Sequence, residues 1–157
     1  MDFEIIIGDN LYTFEDSVDV STIICIRIEN EYFPNCDWWD FPDSILGMWL
    51  YQLVNNRDVS NIEFDLYFMD GPFKLKISKD TEMSLLIQCI HNKFNEVVTN
   101  QFICDYYKFM KVLYNAYKRF NYLMYINDMH QGKYSLIYKQ SIISMNLIKD
   151  IIHKNKK

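Results

Sequence analysis

A chain of 157 residues, half of them apolar and 17% aromatic, is long enough to bury one core and too apolar for extended disorder. Its net charge of −5 divides unevenly: residues 1–70 hold 15 acidic and two basic side chains, residues 71–157 hold 14 basic and six acidic ones. The opening M-D-F-E-I-I-I carries acids where a secretory leader carries basic residues, and no apolar run of about 18 residues occurs. The expectation is one cytosolic domain, residues 1–157, without a membrane span.

In chain order, Phe3 to Phe14 reads as a hairpin about the turn residues Gly8-Asp9-Asn10. Glu15 to Ser21 forms an acidic loop. A strand at 22–29 follows, with Ile24, Ile26 and Ile28 on one face and Cys25, Arg27 and Glu29 on the other. The next stretch, F-P-N-C-D-W-W-D-F-P-D-S-I-L-G-M-W-L-Y-Q-L from Phe33 to Leu53, contains all three tryptophans and two of the three prolines. It predicts a helix over 40–55 with Asp40 as N-cap, Pro42 in the first turn and Asp43 close behind in a near capping box. Leu46, Trp49, Leu50 and Leu53 make its buried stripe. Gly47 inside that helix costs about 1 kcal/mol relative to alanine, which close packing against another backbone explains.

Strands at 62–69 and 73–78 flank Asp70-Gly71, a strong hairpin signal. Folding there opposes Phe68 to Phe73, Leu66 to Leu75 and Phe64 to Ile77 on one face, and Asp65 to Lys76 and Tyr67 to Lys74 on the other. Ser84 to Ile90 reads as a further strand, with a helical start as the alternative. Phe102, Tyr106, Phe109, Leu113, Tyr117, Phe120 and Met124 recur at steps of three and four, predicting a helix over about 99–127 with a basic outer side. A last helix spans 133–154, with Tyr138, Ile142, Met145 and Ile152 near one stripe, and 154–157 forms a disordered basic tail. Strands first, one inserted helix and a helical end give the α+β class, helices against an antiparallel sheet.

No P-loop, GxGxxG, HExxH, GxSxG or EF-hand pattern occurs, and we read no enzyme, no catalytic residues, no cofactor and no metal site. The cysteines (Cys25, Cys36, Cys89, Cys104) have no CxxC spacing and read as reduced thiols; His91, His130 and His153 have no ligand spacing. Asp37, Asp40 and Asp43 have the hard oxygens of a Mg²⁺ or Ca²⁺ site, but capping accounts for Asp40 and Asp43 without one. Trp49 is a core anchor. One of the adjacent Trp38 and Trp39 reaches the surface, where a tryptophan beside acids has the composition of an interaction hot spot.

The segments D-W-W-D-F-P-D-S-I-L-G-M-W-L and L-Y-F-M-D-G-P-F-K-L-K-I resemble small bacterial immunity proteins of polymorphic and contact-dependent growth-inhibition toxin systems. The resemblance covers Phe33–Leu53 and Leu66–Ile77, and residues 95–157 match nothing. It implies a rigid scaffold that blocks a cognate toxin C-terminal domain by stoichiometric binding. An acidic inhibitor suits a nuclease with a basic cleft, because it mimics the phosphate backbone. The expected partner-binding residues are Glu15, Asp16, Asp19, Asp37 and Asp43, with Trp38 as apolar anchor, and neither nucleic acid nor a membrane is an expected partner. Two other classes compete: a regulator using its basic helices on nucleic acid, and a small enzyme whose site is assembled from distant residues.

Overall fold

A computed structural model describes residues 2–155. The elements are β1 (Phe3–Ile7), β2 (Tyr12–Thr13), β3 (Val20–Ile28), β4 (Glu31–Phe33), β5 (Trp39–Asp40), α1 (Pro42–Asn55), β6 (Ile62–Tyr67), β7 (Phe73–Lys79), β8 (Ser84–Asn92), β9 (Glu96–Asp105), α2 (Tyr106–Ile126), a 3-10 turn (Gly132–Tyr134) and α3 (Ser135–Lys154). The class is α+β, and the strands divide into two antiparallel sheets rather than one. In the first, β3 is the common partner of β1, β2, β4 and β5; the second is the meander β6-β7-β8-β9.

The expected Phe3–Phe14 hairpin does not form. β1 and β2 each pair with β3, Phe3 to Ile7 against Ile28 to Ile24 and Tyr12-Thr13 against Ser21-Val20. Gly8-Asp9-Asn10 turns no corner; the Thr22 hydroxyl donates to the Asn10 carbonyl at 2.6 Å and the Gly8 N–H to the Ile23 carbonyl at 2.8 Å, holding the stretch on β3. Nine residues of β3, apolar on both sides of Cys25, present more pairing surface than a two-residue β2 offers.

The β6–β7 hairpin has the register its alternation dictates: Phe64 opposes Ile77, Asp65 Lys76, Leu66 Leu75 and Tyr67 Lys74. Gly71 turns the corner at a φ of +69°, and a Cβ there would lie 2.8 Å from the Trp38 ring, so conformation and space both demand glycine. β8 is a strand, extended to Asn92.

The expected helix start at 99 is wrong. Glu96–Asp105 is an edge strand on β8, and α2 begins at Tyr106, where the Asp105 carboxylate accepts the Tyr107 and Lys108 N–H groups at 2.8 and 3.1 Å. Phe102 stands four residues before Tyr106, so it fits a helical stripe and a strand's inward face equally well. The β-branched Val97-Val98-Thr99 decides for strand.

α1 starts at Pro42, and its N-cap position is Phe41, with no side-chain cap. Asp40 is therefore not a cap; it belongs to β5. Trp49, Leu46 and Leu53 are fully buried, as their spacing requires. A Cβ on Gly47 would meet nothing within 4 Å, so close backbone packing is not its reason; it lines open cavities instead. α3 buries Ser141, Ile148 and Ile151, a stripe offset from the expected one, and keeps Lys154 as its last residue; Lys156 and Lys157 lie outside the described residues. One apolar cluster joins Phe3, Ile26, Trp49, Leu75, Phe109 and Ile148, hence both sheets and all three helices. Among the described residues no helix is long and apolar enough to cross a membrane.

Candidate functional site

Register on β3 builds an exposed aromatic face. Tyr12 stands opposite Ser21 and Trp39 opposite Ile23. Ser21 and Ile23 are two residues apart on one strand, so both aromatic rings emerge on one side of the sheet. They meet edge to face, centroids 4.6 Å apart at 81°, with Tyr12 55% and Trp39 40% exposed. Phe14 lies 6.2 Å from the Phe41 ring, and Phe14 and Val18 are also exposed. The loop joining β2 to β3 carries Glu15, Asp16 and Asp19 beside these rings, all exposed. The Lys133 ammonium points at the Phe14 and Glu15 carbonyls, and Ser17 donates to the Asp19 carboxylate, so the loop is tied at both ends.

Among the described residues no ion pair involves Glu15, Asp16, Asp19 or Asp37, whereas other N-terminal acids are matched internally: Asp2 with Lys108, Asp9 with Arg119, Glu4 with Arg27, Asp65 with Lys74. Part of the charge asymmetry is thus an internal match between the N-terminal half and the basic half. Glu15, Asp16 and Asp19, which none of these pairs includes, border the aromatic face.

Two of the expected site residues, Trp38 and Asp43, take other places. Trp38 is not the surface anchor: it is half-buried, edge-on to Phe73 at 4.8 Å, and its Nε1–H donates to Asp40. In β5 the opposite parity of Trp39 and Asp40 buries Asp40 and turns Trp39 outward, so Trp39 is the exposed ring. Asp37 is exposed, its N–H bonded to the Asn35 side chain, and its charge reaches the Cys25 thiol on β3. Asp43 is withdrawn from the acidic surface and lines a cavity among α1, α2 and α3. Tyr12, Phe14 and Phe41 escape sequence reasoning, although the run Phe14-Glu15-Asp16 in a loop is the mark of an aromatic beside acids. Asp37, Asp40 and Asp43 do not converge, and among the described residues no group of three metal-ligating side chains does.

Burial pushes the Asp43 carboxyl above its ordinary range, with the Asp19 charge adding to the effect against backbone hydrogen bonds that oppose it. A carboxyl whose folded pKa is raised binds more protons folded than unfolded, so stability falls as pH rises through that window. Asp43→Asn is accordingly expected to melt higher than the parent at neutral pH, by about 2–4 °C if the relief is about 1 kcal/mol. The gap should close as the pH is lowered and the parent carboxyl protonates. Melting curves of both proteins across pH check this, and a gap that widens in acid refutes it.

Cys25, Cys89 and Cys104 are buried thiols pushed up to about 12, chiefly by desolvation, and so stay protonated at neutral pH; Cys36 is exposed. Comparison with family models, curated proteins and solved structures gives no match.

Proposed function

We propose that this chain is an immunity protein that neutralises a cognate bacterial toxin domain by stoichiometric binding through the acidic aromatic face. The observation that carries the reading is the exposed Tyr12–Trp39 pair bordered by the unmatched Glu15, Asp16 and Asp19. A rigid aromatic anchor supplies residence time, because desolvating it against a partner pocket is where interface energy concentrates. Unmatched carboxylates supply encounter rate and select a basic partner such as a nuclease cleft. The sequence resemblance of Phe33–Leu53 to such proteins supports the same reading, since that segment contains Trp39.

The test is co-expression and binding with the toxin domain encoded beside this protein. Protection of the cell and a 1:1 complex are expected; no binding at micromolar concentration sinks the proposal. Charge reversal at Asp16 and Asp19 should slow association about tenfold at low salt, and the difference should shrink as salt is raised. Trp39→Ala should instead speed dissociation, weakening the complex by about 2 kcal/mol or more, roughly 30-fold. Trp38→Phe, a substitution on the inner side of the same segment, should leave affinity nearly unchanged.

A further inference from the structure

The cavity of about 320 Å³ among the three helices is lined by Asp43, Tyr117, Leu136, Ile137, Ser141 and Ser144. It is more than twice the roughly 150 Å³ that accommodates a benzene-sized guest. Its polar groups come from all three helices: Asp43 from α1, Tyr117 from α2, and Gln140, Ser141 and Ser144 from α3. Two of them have unused capacity. Asp43 Oδ1 and Ser141 Oγ are buried without a hydrogen-bond partner among the described residues, and Ser141 as a whole is only 4% exposed. Buried polar atoms are normally satisfied, so two orphans lining one cavity mark hydrogen-bonding capacity open to a group from outside the chain.

The charge of those donors follows from the surroundings. No lysine or arginine lines the cavity, and among the described residues Asp43 is in no ion pair. Asp43 also lies within the field of Asp19, so the potential there is negative. A carboxylate without a counter-charge favours a cation and disfavours an anion, while the Ser141 hydroxyl and the Gln140 amide can serve a neutral group as well. The apolar part of the lining comes from the Tyr117 ring, Leu136 and Ile137.

We propose that this cavity binds an alkylammonium group, its N–H donors on Asp43 Oδ1 and Ser141 Oγ and its carbon chain against Tyr117, Leu136 and Ile137. The inference does not rest on the docking face, which lies outside the cavity's lining. A free aliphatic amine and a lysine side chain of a protein share this chemistry.

The experiment is a titration of the full chain with n-pentylamine, followed by amide chemical shifts and by calorimetry at pH 7.5, with 1-pentanol as the neutral match. Pentylamine should bind saturably and at least about tenfold tighter than pentanol, the scale of a hydrogen bond to a charged group. Asp43→Asn, near-isosteric and checked by melting, should lose that advantage; Ser141→Ala should weaken binding by a smaller factor, and Trp39→Ala should leave it unchanged. Shifts confined to residues lining the cavity support the site. Equal binding of pentanol, undiminished binding by Asp43→Asn, or no shift at 10 mM amine (on the order of the weakest useful affinity) overturns it. Nα-acetyl-lysine methylamide and 1,5-diaminopentane then separate the sources: whichever binds tighter indicates the protein side chain or the free amine, and either supports the ammonium site.

Discussion

Asp40→Ala is expected to cost the fold about 3–5 kcal/mol, a large part of the 5–15 kcal/mol that a domain of this kind has. Asp40 is 1% exposed, and its carboxylate accepts from Trp38 Nε1 at 3.2 Å, Phe41 N at 2.9 Å, Met69 N at 3.0 Å and Asp70 N at 3.1 Å. Those donors are what make a buried charge tolerable without a cationic partner. Alanine removes every acceptor at once and leaves part-buried N–H groups unpaired, each costing about 1–3 kcal/mol. Asp40→Asn separates charge from shape. Oδ2 takes three of the donors, so an asparagine oxygen placed there still serves Trp38, Met69 and Asp70, while its amide faces the Phe41 N–H donor to donor. Asparagine should therefore cost about half as much as alanine. Urea unfolding measures both; an alanine variant within about 1 kcal/mol of the parent removes Asp40 from this role. Because Asp40 fixes the segment that turns Trp39 outward, the same variant should also weaken the proposed partner complex.

Asp40 also shows where sequence reasoning stops. An aspartate two residues before a proline at a helix start has the local form of an N-cap, and nothing within ten residues argues otherwise. Its true partners, Met69 and Asp70, are about thirty positions away and come near only because the fold sets the β6–β7 turn of the second sheet against β5 of the first. The same limit explains the N-terminal hairpin. Gly8-Asp9-Asn10 is a sound turn signal, but pairing with β3 is a competition among distant strands that local chemistry does not record. By contrast, the β6–β7 register was legible because two independent patterns, apolar alternation and opposite charges, agreed about one Asp-Gly turn. The stripe of α1 was legible for the same reason of redundancy. Within the candidate site, the acids of the 15–19 loop were readable as solvated charge. The choice between Trp38 and Trp39 was not, since it depends on the parity with which β5 meets β3.

Trp49→Ala should be as damaging as the loss of Asp40, by about 3–5 kcal/mol, and for a different reason. The indole is fully buried, sits edge-on to Phe68 with centroids 5.3 Å apart, and donates Nε1–H to the Tyr67 carbonyl at 2.8 Å. Truncation empties the space between α1 and the second sheet and leaves that carbonyl short of a donor. Trp49→Phe keeps most of the apolar volume and isolates the hydrogen bond, so its cost should be nearer 1–2 kcal/mol. The two large losses are physically joined. Trp49 holds the carbonyl of Tyr67 and Asp40 holds the N–H groups of Met69 and Asp70, so both grip the entry to one turn. Once either grip is gone the turn is free to shift, and the second removal takes away less than it would alone. The double variant should therefore be less destabilised than the sum of the single ones, with a coupling of about 0.5–3 kcal/mol. Additivity within about 0.5 kcal/mol would show that α1 and β5 secure the turn independently.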